Sequence, residues 1–286
     1  MESRSRTQPQ GSFLDVGPAW DKLARVKMDI NEALQGRPAF IPLVPARDAQ
    51  ILSPKNFPDK KGLASPEGQA RMLHDLASIE LQALELGLRT LIEFPEAPVR
   101  FREELATVTI GEADHFRLCL EALEDLGFQW GRWPIHTNLW CAVDAQDSLL
   151  DRILIVHRYL EGSGLDAGET LLRRLAGVPE GPGHKVVGQI VREEIGHVEF
   201  GSRWYREVCA LEKREASQDF ETRYASIKER LPKRIEKMSH ELRRRAGFTE
   251  GEIFFLESER VKVSKFRGGR RGEDSGVSID DLLAAF

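Results

Sequence analysis

Apolar residues return every three or four positions through most of this chain, and no two-residue alternation lasts, so the pattern predicts helices throughout. Leu23, Val26, Ile30 and Leu34 mark a first short helix beginning near Trp20. Between Gly36 and Pro66 the period is broken by Pro38, Pro42, Pro45, Pro54, Pro58 and Pro66, which predicts an extended strap. Its apolar piece, AFIPLVPA at 39–46, is the part expected to be pinned down. A much stronger helical signal opens at Ser65-Pro66-Glu67, an N-cap with proline at the first helical position. The stripe Leu73, Leu76, Ala77, Leu84, Gly87, Leu88, Leu91 carries that helix over 66–93. A second helix, about 98–126, is striped by Phe101, Leu105, Val108, Cys119, Leu123 and Leu126 and stops at Gly127. A tryptophan-rich connection (127–140) leads to a third helix, about 144–161, ending at Gly162-Ser163-Gly164. The fourth, about 184–209, is striped by Val187, Ile190, Val191, Val198, Gly201 and Trp204. Further helices are expected at 216–230 and 232–246, then a linker at 265–275 and a short amphipathic tail, SIDDLLAAF.

The polar residues that interrupt these stripes carry the chemistry. Glu80 is in phase with Leu73, Leu76, Ala77 and Leu84. Glu112 and His115 occupy core-facing slots of the second helix, and Glu194 and His197 those of the fourth. Glu161 follows Ile153 and His157 near the end of the third. Buried carboxylates are costly unless paired or bound to a metal, so four inward glutamates call for a common cation. Glu112/His115 and Glu194/His197 are i,i+3 pairs that share a helix face. Glu80 precedes Glu112 by 32 residues and Glu161 precedes Glu194 by 33. Two hairpins therefore each present Glu on one helix and Glu-x-x-His on the next, the ligand set of di-iron carboxylate bundles. Four carboxylates with two neutral imidazoles balance two divalent ions, and an oxygen-rich set suits iron or manganese better than structural zinc. The competing reading is a salt-bridged polar core without metal.

Composition adds limits rather than a function. The 286 residues are 41% hydrophobic and 30% charged, ordinary for a globular protein, with a net charge of −5. No apolar run reaches the roughly eighteen residues needed to span a bilayer, and the polar start argues against a signal peptide. Cys119, Cys141 and Cys209 stand singly, which predicts a reducing cytoplasm. The basic run Lys228–Arg245 reads as a solvated helix face, with a polyanion-binding patch as the alternative. Neither membrane nor nucleic acid is an expected partner.

The segments EGQARMLHDLASIELQALELGLR, GEADHFRLCLEALEDLGFQWGRWPIHTNLW, VHRYLEGSGLDAGE and VREEIGHVEFGSRWY resemble the bacterial domain of unknown function 455 family, within the ferritin-like di-iron carboxylate superfamily. The resemblance covers about 37–250. It implies an all-α fold, a ferritin-like four-helix bundle with a long crossover, an N-terminal extended strap and additional C-terminal helices. It also implies a dinuclear site of two Fe ions (or Mn/Fe) on Glu80, Glu112, His115, Glu161, Glu194 and His197, the six residues already reached. Ser78, Gly111, His157 and Ser163 depart from the family's usual residues.

The expected organisation is a flexible arm (1–18), a helix with strap (19–65), the ferritin-like domain (66–250) and a C-terminal extension (251–286). The expected function is a di-metal, O2-dependent oxidase or monooxygenase acting on a small organic substrate, with electrons from a reductase. Its oligomeric state is open, a dimer being one option. The alternatives are a tRNA-modifying hydroxylase and a ferritin-like iron-oxidising, metal-handling protein. His157 is a candidate seventh ligand or proton donor, while His136, Trp133 and Trp140 are candidates for a substrate channel. Asp114, Glu193 and Glu199 are candidates for holding the ligating imidazoles from behind.

Overall fold

The computed structural model describes residues 12–234 and 237–268, with side chains up to 260. Among these residues the protein is helical, and the sole strand-like pairing is an isolated parallel bridge between Ile51 and Ile135. The helices are α1 (Ala19–Leu34), α2 (Pro66–Glu93), α3 (Val99–Asp125), α4 (Leu149–Ile153), α5 (Glu161–Leu175), α6 (Pro182–Leu211), α7 (Ala216–Ile227), α8 (His240–Arg245) and α9 (Glu250–Gly268). A π-helical stretch, Leu154–Leu160, joins α4 to α5 without a break.

Helix α2 starts where its capping chemistry says it should. Ser65 Oγ accepts from the Gly68 N–H at 3.1 Å, Pro66 takes the first position, and Glu67 complements the positive helix end. It pairs along its length with α3, and the α4–π–α5 rod pairs with α6. The two hairpins meet where α3 packs on α6, with the 126–148 crossover between them. Helix α1 lies across α2 and α3, so that α2 is buried on nearly every face.

Several expected boundaries shift. Gly162-Ser163-Gly164 does not end a helix; α5 runs through it to Leu175. The packing of α5 on α6 outweighs the low intrinsic helicity of glycine there. Asp166 also anchors the segment, accepting from the Ser239 N–H (2.8 Å) and from Arg243 and Arg260 (2.7 and 2.8 Å). Among the described residues of the expected 232–246 helix, His240–Arg245 is helical. Phe13 and Leu14, placed in the arm by sequence, are fully buried in a short 3-10 turn. The Lys22 ammonium donates to the Phe13 carbonyl (2.9 Å) and pairs with Glu85 (3.1 Å), which also binds Arg47. The remainder of the arm, 1–11, and the SIDDLLAAF tail lie outside the described residues.

The strap is held by its backbone and by a few apolar side chains, with Ile41 packed on the core and Pro45 and Leu63 buried. Phe40 and Leu43 are 72% and 95% exposed. Leu43 O accepts from Trp140 Nε1 (2.9 Å), and Leu52 N–H and Ile135 N–H donate across the bridge. The expected 39–46 segment is anchored through Ile41, Pro45, Leu43 O and the Ala46 N–H, which donates to Leu14 O at 2.8 Å, and further anchors follow it.

Candidate metal centre

Four side chains from two helices converge. Glu112 and His115 project from α3, Glu194 and His197 from α6, and one potential ligand atom of each lies within 4.8 Å of all the others. The i,i+3 spacing stacks each Glu above its His on the inward face. His197 Nδ1 donates to Glu112 Oε1 at 2.7 Å and lies 3.3 Å from Glu194 Oε2. His115 Nδ1 is 3.3 Å from Glu80 Oε2, 3.6 Å from Glu112 Oε2 and 4.0 Å from Glu194 Oε2. Glu80, on α2, thus reaches the cluster through His115. Glu161, the first residue of α5, is turned onto His157 instead, whose Nδ1 donates to its two oxygens at 2.8 and 3.0 Å. Glu80, Glu112, Glu161 and Glu194 all border one cavity.

The donor set fits a metal on two observations. Both imidazoles turn Nδ1 toward the carboxylates. His115 Nδ1 and Glu112 Oε2 are buried without a hydrogen-bond partner, although they face each other. Such orphaned atoms are rare in native interiors and call for an explanation such as an ion.

Protons do the compensating in the metal-free arrangement. Burial pushes the Glu80 carboxyl up to about 8, against the pull of His115. Burial and the neighbouring Glu112 charge bring Glu194 up to about 7. Burial by itself would lower His115, but the facing Glu112 and Glu80 carboxylates outweigh it and hold the imidazole up to about 12. His197 is raised in the same way by Glu112 and Glu194. Glu112, between two imidazoles, goes below the usual carboxylate range despite its burial. Two imidazolium ions and raised carboxyls are what such a set becomes when only protons can neutralise it.

The surroundings sort the remaining candidates. Glu193 holds His115 from behind: Nε2 donates to its carboxylate at 2.9 Å, although that side chain is 49% exposed. Asp114 and Glu199 do not hold the imidazoles; they pair with Arg117 and Arg203 on their own helices. His136 stacks on Phe57 and accepts from the Asn138 N–H (3.2 Å), away from the cavity lining. Trp133 packs edge-on against His74, and Trp140 bonds to the strap. Neither tryptophan lines the cavity; Leu139 is the crossover residue that does. Within the basic run, Arg230 and Arg243 pair with the buried Asp147 and Asp166, while Lys228 and Arg244 pair with Glu259 and Glu250 at the surface.

Two glycines shape the site: Gly111, a departure from the family's usual residue, and Gly201, read from sequence only as part of a stripe. A Cβ on Gly111 would sit 2.7 Å from His197 Nε2, and one on Gly201 would sit 2.4 Å from His157 Cβ. Glycine in a helix interior costs about 1 kcal/mol relative to alanine, which was the available signal.

Fold and site together define an all-helical protein with a buried glutamate–histidine cluster able to hold metal. The chain belongs to the family described as Protein of unknown function (DUF455), whose profile matches residues 15–254. It is 30% identical over 214 residues to an "Uncharacterized protein" of Haemophilus influenzae (strain ATCC 51907 / DSM 11121 / KW20 / Rd), covering 72% of this chain and 73% of that one. No solved structure matches it.

Proposed function

We propose that this protein is a ferritin-like four-helix bundle, formed by α2, α3, the α4–π–α5 rod and α6, that holds two iron ions (or manganese and iron) and oxidises a small organic substrate with O2. One observation carries the reading: Glu112 and Glu194 of the cluster, with Glu80 and Glu161, form part of the wall of a cavity otherwise lined mainly by apolar side chains. A structural metal would not need that space; a reaction centre does.

In this reading Glu112, Glu194, His115 and His197 are the central ligands, with Glu80 and Glu161 completing the two sets. The bound ions would supply the redox chemistry that activates O2. The chain's own groups do the rest. Glu193 accepts a hydrogen bond from His115 Nε2, leaving Nδ1 to face the carboxylates. His157 holds the Glu161 carboxylate with Nδ1 while its Nε2 is buried without a partner, so its ring positions that carboxylate. Apolar walls exclude water from the reacting space.

Iron analysis of the loaded protein, followed by stopped-flow absorbance during successive ferrous additions, tests the proposal. The expected result is two metals per chain and one round of oxidation by O2 that resumes only with a reductant. Continued stoichiometric oxidation over many equivalents would move the protein to metal handling, and saturation at one ion would remove Glu80 or Glu161 from the ligand set.

A further inference from the structure

The carboxylates open onto a cavity of about 80 Å³, room for about six water molecules. Its walls include Met72, Leu76 and Leu86 on α2, Leu171 on α5, and Val187 and Ile190 on α6. Residues 72 to 86 of one helix cover about 20 Å along its axis. So small a volume over such a length is a narrow channel, about one chain wide. The α5 side is built from small residues, Gly164, Ala167 and Gly168, whose i, i+3, i+4 spacing puts them on one face. A Cβ on Gly164 would meet no atom within 4 Å. That position is left open although a side chain there would favour the helix by about 1 kcal/mol. Of the other charged residues on the lining, Asp75 is held by Arg71 and Lys60, each at 2.9 Å, and Arg234 is buried.

We infer that this channel binds an unbranched apolar chain lying along α2, α5 and α6, with its middle beside Glu80, Glu112, Glu161 and Glu194. This deepens the proposed function and rests on it for the chain being the substrate. The binding itself follows from shape and lining. An apolar wall selects by area buried, and a one-chain width rejects branches and rings.

The test uses the metal-free full chain, titrated calorimetrically with straight-chain primary alcohols of rising length and with branched and cyclic alcohols of equal carbon number. Affinity is expected to tighten about threefold to fourfold per added methylene until the channel is full. The branched and cyclic alcohols should bind at least tenfold more weakly. Gly164→Leu should fold with an equal or higher melting temperature and lose at least tenfold in affinity for the longest alcohol. If Gly164→Leu fails to fold, the milder Gly164→Ala should bind it about threefold more weakly. Equal binding of the branched alcohols, or undiminished binding in a folded Gly164 variant, would overturn the inference. Because no metal is present, the outcome is separate from iron stoichiometry: a protein that binds the straight alcohols but takes up no iron refutes the proposed function alone.

Discussion

Glu112 and Glu194 are both buried acids of one cluster, yet they answer differently to neutralisation. Glu112 lies between two imidazoles that hold its proton off, whereas burial and the Glu112 charge push the Glu194 carboxyl up. At about pH 8, without metal, Glu194→Gln should therefore raise the melting temperature, because it removes a charge that the interior resists. Glu112→Gln should lower it, because two imidazolium ions lose the counter-charge they share. Both variants should lose most of the metal-dependent rise in melting temperature, which scanning calorimetry with and without ferrous ion will read. A full metal response in either one would exclude that residue as a ligand. Beside Glu112, Gly111→Ala would place a methyl 2.7 Å from His197 Nε2 and force the imidazole to shift. Displacing a ligand in this way should weaken metal binding by about tenfold to a hundredfold, as loss of a supporting contact does. Competition with a chelator of known affinity measures it.

The π-helical stretch Leu154–Leu160 sets what the third rod presents to the site. It brings the His157 backbone onto Gly201 of α6, so close that the missing Cβ would lie 2.4 Å from His157 Cβ and 3.3 Å from its carbonyl carbon. Those atoms cannot swing away as a flexible side-chain tip can. Gly201→Ala should thus destabilise the protein by about 1–3 kcal/mol, where alanine in an ordinary helix would stabilise it by about 1 kcal/mol. Urea unfolding distinguishes the two by sign. Elements of this kind were the least legible in the sequence. A π stretch rotates the helix face without interrupting the helix, so the third helix was readable as helix but not in its end. Gly162-Ser163-Gly164 read as a stop because local propensity was the only information there; α6 packing and the Asp166–Arg243 pair overrule it. By contrast, the limits of α2 were readable to the residue, because Ser65 and Pro66 act locally.

Across the whole molecule, the cluster ties stability to pH through its protons. Glu80 and Glu194, raised to about 8 and about 7, contribute stability below the unfolded carboxylate value and lose it as pH rises through those points. His115, held up to about 12, and His197, also raised, contribute below the unfolded imidazole value and lose it on the way up to their folded values. Glu112 runs the other way, losing its contribution only as pH falls through its depressed value. The metal-free protein should therefore melt progressively lower between about pH 5 and pH 9, and the iron-loaded protein should show a flatter profile, since bound cations replace those protons. A flat profile without metal would contradict the arrangement. The sequence by itself determined the all-helical class and the two hairpins. It also determined the positions of the six inward acids and imidazoles, because helical period and i,i+3 spacing are local properties that survive any packing. Only the tertiary structure decided that Glu112, His115, Glu194 and His197 meet within 4.8 Å while Glu161 turns to His157, and that Glu193 rather than Asp114 backs an imidazole. It alone paired Arg230 and Arg243 with the buried Asp147 and Asp166 and left a cavity beside Gly164. Those outcomes depend on which rotamers and partners win when separate helices share one interior, and that competition has no signature along the chain.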